Sequence, residues 1–212
     1  MNRIEKRMQE LQQRGEKALI TYITAGLPDM EGTKKLIRAQ EEAGVDVVEL
    51  GIPFSDPVAD GPVIQDASYR SILKGTTLRK VLAIVKELRA EGCEQPLIFM
   101  MYYNTVMSYG VKNFADACVE IDGLIIPDLP MEEQGELKEA LAGREETVII
   151  PLVSPVSGDR IPKLVGDAKG FVYCVSSMGV TGNGGQFHAH VAEYLKQVKA
   201  VALIPVMMGF GI

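Results

Sequence analysis

Val45-Asp-Val-Val-Glu49-Leu-Gly-Ile-Pro-Phe-Ser-Asp56-Pro-Val-Ala-Asp60-Gly-Pro62 reads as an apolar strand that ends in a loop rich in Pro, Gly and Asp. The strand carries a carboxylate near its end, and the loop carries two more. Charged side chains are almost never fully buried unless paired, so a Glu inside such a run needs a reason. In a parallel α/β fold the loop after a strand is where chemistry sits. Strand alternation puts Val45, Val47 and Glu49 on one face and Asp46, Val48 and Leu50 on the other. Layers of Val and Ile fill barrel interiors. Glu49 is therefore expected at the top of an inner layer, facing the mouth. An ion-paired Glu at a strand end is the plainer alternative. Asp56, which precedes Pro57, suits a turn role. Asp60 precedes Gly61-Pro62 and a helix-like run, so its plain reading is a helix N-cap.

Outward from this stretch the chain alternates strand and helix. Strands are predicted at 18–24, 45–50, 97–101, 123–126, 148–153, 171–175 and 203–208, apolar on both faces as covered parallel strands are. Helices are predicted at about 30–43, 76–91, 111–119, 131–141, 160–165 and 189–198, with Gly44 and Gly92 as C-caps. Ile4, Met8 and Leu11 share one face of a short N-terminal helix. Most strands are followed by a polar or Pro/Gly loop, among them Gly26-Leu-Pro-Asp29, Tyr102-Tyr-Asn104, Pro127-Asp-Leu-Pro130 and Ser176-Ser-Met-Gly179. Repeated use of one edge is how a (βα)8 barrel builds a site. An open doubly wound sheet usually carries a Gly-rich phosphate loop after its first strand, and there is no GxGxxG here. The expected fold is a TIM-type barrel forming a single domain over 1–212.

The 212 residues suffice for one good core. A net charge of -6 argues against nucleic acid. No apolar run approaches the roughly 18 residues that span a bilayer. The charged N-terminus lacks a signal core. Cys93, Cys118 and Cys174 form no CxxC pair, and buried thiols in a reducing cytoplasm are the plain reading.

His188 and His190 fall in one segment, which speaks against a His-rich zinc site. No Lys lies inside a strand to serve as a Schiff-base nucleophile, and there is no GxSxG elbow. The loop Gly179-Val-Thr-Gly182-Asn-Gly-Gly185 and the pair Gly209-Phe-Gly211 follow late strands, where such barrels often bind phosphate on backbone N–H groups. What remains is carboxylate acid/base chemistry with no metal or cofactor on this chain.

These motifs resemble the tryptophan synthase alpha chain. The likeness runs through Glu49-Leu-Gly-Ile-Pro-Phe-Ser-Asp-Pro-Val-Ala-Asp-Gly-Pro-Val-Ile-Gln65. It continues in Tyr22-Ile-Thr-Ala-Gly-Leu-Pro-Asp29, Met101-Tyr-Tyr-Asn104, Leu124-Ile-Ile-Pro-Asp-Leu-Pro130, Phe171-Val-Tyr-Cys-Val-Ser-Ser-Met-Gly-Val-Thr-Gly182 and Gly209-Phe-Gly-Ile212, in order along the whole chain. The resemblance implies a lyase of tryptophan biosynthesis that splits indole-3-glycerol phosphate into indole and glyceraldehyde 3-phosphate. It implies a cytoplasmic heterotetramer with a beta chain, which carries pyridoxal phosphate and takes the indole. By the same resemblance Glu49 matches the general acid/base, Asp60 the acid that stabilises the indole N–H, and Tyr173 a site tyrosine. Gly182 and Gly211 match phosphate-binding backbone, and Thr181 matches a closing-loop residue that meets Asp60. Tyr22 and Met100 fall where the family lines the indole pocket. Thr105 departs from the Pro that many members carry.

The sequence stops at Ile212, just after the seventh predicted strand. A closed barrel needs an eighth strand and helix, roughly 40 further residues. The expectation is a barrel lacking them, with unpaired edges on its first and seventh strands and weak or absent cleavage unless a partner supplies the strand. Two other readings stand beside this one. They are a different cofactor-free, phosphate-handling barrel enzyme, and a catalytically incomplete subunit that only binds or activates a beta chain through Pro53, Phe54, Pro57 and Val58.

Overall fold

A computed structural model describes residues 1–144, 146–176 and 191–209. Among them, eight short strands occur: β1 (Ile20–Thr24), β2 (Val47–Gly51), β3 (Leu97–Met100), β4 (Gly123–Ile125), β5 (Val148–Ile149), β6 (Leu152–Val153), β7 (Val172–Val175) and β8 (Val206–Gly209). They pair in parallel and in chain order, β1 to β5 in one sheet and β6 to β8 in another. A doubly wound sheet would reverse its strand order part-way. Unbroken consecutive order is the pattern of a barrel wall, here an incomplete (βα)8 barrel.

The strand predicted at 148–153 is present but changes partner midway. Ile150 N donates to Leu124 O at 2.9 Å, and Tyr173 N donates to Pro151 O at 2.9 Å. Pro151 has no N–H to continue the ladder to β4, so the strand leaves β4 and joins β7. The last predicted strand begins later than 203, because Pro205 precedes β8 and Leu203 lies exposed in a bend.

The helices are α1 (Arg3–Arg14), α2 (Met30–Glu42), α3 (Pro62–Leu73), α4 (Leu78–Ala90), α5 (Tyr103–Tyr109), α6 (Val111–Ala117), α7 (Gly135–Ala140), α8 (Ile161–Val165) and α9 (Val191–Val201). Gly44 and Gly92 follow α2 and α4 with φ near +80°, the left-handed stop that a residue without Cβ adopts readily. Two helices exceed the sequence reading. The helix-like run after Gly61 is a full helix, α3, and α5 grows out of what reads as a strand-end loop.

Outward residues such as Val48, Leu50, Leu97, Phe99 and Leu124 pack against helices in one cluster. Inward residues Val47, Ile98, Ile125, Val148, Ile150, Phe171 and Tyr173 form a second, which α1 closes from below with Ile4, Met8 and Leu11. A capping box starts α1, Asn2 and Glu5 each accepting the other's backbone N–H. Charged contacts seat it: Arg3 Nη1 lies 3.2 Å from Asp122 Oδ1, and Arg7 Nη2 lies 2.7 Å from Asp46 Oδ1. Asp122 also holds Arg89 at 2.8 Å and the Leu97 N–H at 2.8 Å. One end of the barrel is thereby shut, and chemistry is left to the other.

Candidate active site

Glu49 sits where alternation puts it. Its neighbour Val47 lies in the inner cluster, while Val48 and Leu50 lie in the outer one. Glu49 is 5% exposed, and no hydrogen bond or ion pair to its carboxyl is found among the described residues. Among those residues, then, nothing pairs with it as the ion-paired alternative requires. Burial alone pushes its pKa from 4.5 to about 7, because an apolar setting disfavours the charged form. A carboxyl in that range gives and takes protons near neutral pH.

Its flanks are set by register. Tyr22 on β1 stands level with Glu49, and Met100 on β3 stands level with Gly51, two residues further up β2. Both side chains are half-buried on the inner face. Tyr22 leans across β2 over Gly51, where a Cβ would collide with its hydroxyl. Burial pushes the Tyr22 phenol up to about 12; a hydrogen bond with Thr24 opposes this, and the charges of Asp60 and Glu49 add to it. Tyr22 thus feels both acids.

Asp60 is half-buried in the loop after β2. It is not the N-cap that its place before Gly61-Pro62 suggests: α3 is capped by Gly61 with no side-chain hydrogen bond. The Asp60 carboxylate instead accepts the Tyr102 hydroxyl at 3.2 Å. Burial raises its pKa, and the Tyr102 bond opposes that rise. Asp56 is exposed and accepts from the Ser55 hydroxyl at 2.5 Å, a local turn contact.

Tyr173 on β7 is 5% exposed and belongs to the inner cluster with Val47 and Ile125. It repeats the device of Tyr22, since its hydroxyl occupies the space that a Cβ on Gly209 of β8 would need. Thr181, Gly182 and Gly211 lie outside the described residues, as do His188 and His190. Among the described residues no group of three or more His, Cys, Asp or Glu is arranged to hold a metal. Cys93, Cys118 and Cys174 are buried free thiols.

A cavity of about 820 Å³ runs from Val58 and Ala59 along residues 147–153 towards the exposed Lys138 and Lys163. Its lining includes neither Glu49 nor Asp60. Sequence reasoning passed over Tyr102. Its signal was a phenol directly after β3, facing a loop that carries both an aromatic ring and an acid.

The profile of the family described as "Tryptophan synthase alpha chain" matches residues 8–212. The chain belongs to the tryptophan synthase alpha chain family. An alpha chain from Lachnospira eligens is 58% identical over the whole of this chain and 81% of its own length. The crystal structure of a Legionella pneumophila tryptophan synthase alpha chain superposes with a TM-score of 0.87 at 37% identity, covering 100% of this chain and 78% of that one. A chain of the tryptophan synthase a2b2 complex from the hyperthermophile Pyrococcus furiosus gives 0.82 at 36% identity, covering 92% and 79%. Tryptophan synthase alpha chains are TIM barrels and lyases that cleave indole-3-glycerol phosphate. No helix among the described residues is long and apolar enough to cross a membrane.

Proposed function

We infer that this chain cleaves indole-3-glycerol phosphate to indole and glyceraldehyde 3-phosphate, with Glu49 as the proton shuttle. The observation that carries the residue assignment is a buried carboxyl, unpaired among the described residues, on the inner face of β2 with its pKa raised to about 7. Protonated Glu49 gives its proton to the indole ring carbon that bears the glycerol chain. Positive charge spreads to the ring nitrogen, where ionised Asp60 accepts the N–H. The Glu49 carboxylate then takes the proton of the adjacent glycerol hydroxyl, a carbonyl forms, and the carbon–carbon bond breaks. Its electron pair returns to the ring, and Glu49 ends as it began. The protonated ring is the electron sink, so this reading calls on no cofactor of the chain's own. A positioned acid/base of this kind contributes roughly 10²–10⁴-fold.

Tyr22 and Met100 flank the carboxyl as walls for the aromatic ring, and Tyr173 closes the inner face opposite. Thr181, Gly182 and Gly211 are assigned to loop closure and phosphate on the family resemblance alone. We place the chain in the cytoplasm beside a beta-chain partner that carries pyridoxal phosphate. The 79% exposed Val58, in the loop that holds Asp60, is the surface offered to it. That same surface supports the second reading, a subunit that activates the beta chain without cleaving. Indole release from indole-3-glycerol phosphate by the parent chain, Glu49→Gln and Asp60→Asn, measured with and without a beta chain, decides between the two. Cleavage lost in both variants supports the first reading; beta-chain activation with no cleavage by the parent supports the second.

A further inference from the structure

We propose that Tyr102 is a positioning residue for Asp60, fixing the acid and its loop as one unit. The proposal rests on the role of Asp60 given above. Tyr102 follows β3 and is 6% exposed. Its hydroxyl is used twice: it donates to Asp60 Oδ2 at 3.2 Å and accepts the Ala59 backbone N–H at 2.9 Å. Its ring stacks on Phe54, with centroids 5.1 Å apart and planes at 28°. Phe54, Ala59 and Asp60 all lie between β2 and α3. One side chain rooted at the end of β3 thus grips the loop at its near end through a ring and at its far end through an oxygen. β3 pairs in register with β2, which bears Glu49. The two acids are therefore referred to the same pair of strands.

The proton count fixes the direction of the bond. A phenol has one hydrogen to donate. Accepting the Ala59 N–H leaves that hydrogen for the carboxylate. Burial pushes the Tyr102 phenol up, so it stays protonated. A donor on a carboxylate favours the ionised form, against the burial that favours the neutral one. Ionised Asp60 is the state that a positive charge developing on the ring nitrogen requires. Among the described residues, the other titratable groups around this arrangement are Tyr22 from β1, which feels both Asp60 and the Glu49 of β2, and Asp128 after β4, which faces Tyr102. None of these three donates to Asp60 among the described hydrogen bonds.

The test is a carbon-13 NMR titration of the Asp60 carboxyl in the parent and in Tyr102→Phe, which keeps the ring on Phe54. The Asp60 midpoint is expected to rise in the variant, and the acid limb of its kcat/KM profile to rise with it. Loss of one hydrogen bond to a charged group predicts a fall in kcat/KM of roughly ten- to a hundredfold. The same substitution in an Asp60→Asn background is expected to add little. In the parent itself, the Tyr102 ring-carbon shift is expected to follow the Asp60 midpoint, which needs no variant to fold. An unmoved Asp60 midpoint, an equal loss in the Asp60→Asn background, or a Tyr102 signal indifferent to Asp60 would each overturn the proposal. If Asp60→Asn turned over at the parent rate, the role of Asp60 itself would fall, while the titration would still judge the contact.

Discussion

The Tyr22 ring lies across the bare backbone of Gly51, one strand over, and fills the space in which any other residue would carry its Cβ. That contact lays Tyr22 over the end of β2, two residues beyond Glu49, with which Tyr22 is in register. Tyr173 and Gly209 repeat it on β7 and β8. Gly51→Ala is expected to destabilise the protein by about 1–3 kcal/mol, the usual cost of overpacking. It is also expected to raise KM for indole-3-glycerol phosphate as Tyr22 is displaced. Since the collision is with the tyrosine, Gly51→Ala is expected to cost less in a Tyr22→Ala background. A double-mutant cycle of urea denaturation measures this, and additive costs would count against the contact.

Burial of Glu49 also predicts how stability depends on pH. With its pKa raised from 4.5 to about 7, the folded chain keeps a proton that the unfolded chain releases. Stability contributed at this site is therefore greatest below about pH 4.5, falls as pH rises through the window, and levels off above about 7. The full penalty is roughly 3 kcal/mol. Glu49→Gln has no such proton to lose. It is expected to unfold like the parent near pH 4 and to be more stable by up to about that amount near pH 8. A variant less stable than the parent near pH 8 would contradict this.

The closed end of the barrel depends on Asp122. Its side chain is 1% exposed and meets Arg89, itself 5% exposed, at 2.8 Å. Arg89→Met removes one partner of a buried pair and leaves the carboxylate to Arg3 and the Leu97 N–H, at an expected cost of about 3 kcal/mol. Equilibrium urea denaturation reads this directly, and a change below about 1 kcal/mol would show that Arg3 compensates.

Ile4 belongs to α1 yet is fully buried among barrel residues. Ile4→Ala is expected to cost about 2–5 kcal/mol, as deletion of a core side chain does. Since the effect is confined to the floor, kcat is expected to stay near the parent value at temperatures where the variant is folded. A loss of kcat larger than the loss of folded protein would mean that α1 reaches the site.

Much of this arrangement was legible in the sequence because it follows strand alternation. Val47 and Glu49 had to face the same way, and Val48 and Leu50 the other. The positions of β1 to β4 and β7 follow from apolar runs, whereas the break between β5 and β6 was not read, because the run 148–153 is apolar throughout and only the partner changes at Pro151. The α3 helix was not assigned as an element because its periodicity is hidden. Val63, Tyr69 and Leu73 are exposed, while its buried positions are Ser68 and Ser71. The α5 helix has seven residues and a single buried one, Val106, too little for a pattern to show. Asp60 read as a cap because Asp before Gly-Pro suits one, but a phenol from another strand claims its carboxylate. That contact joins residues 42 positions apart, and no local spacing announces it.

The account turns on whether a buried carboxyl inside the barrel, unpaired among the described residues, holds its proton near neutrality. Carbon-13 NMR titration of the Glu49 side chain measures that without relying on turnover. The account predicts a midpoint near pH 7. A midpoint near 4.5, that of a carboxyl in water, would contradict it.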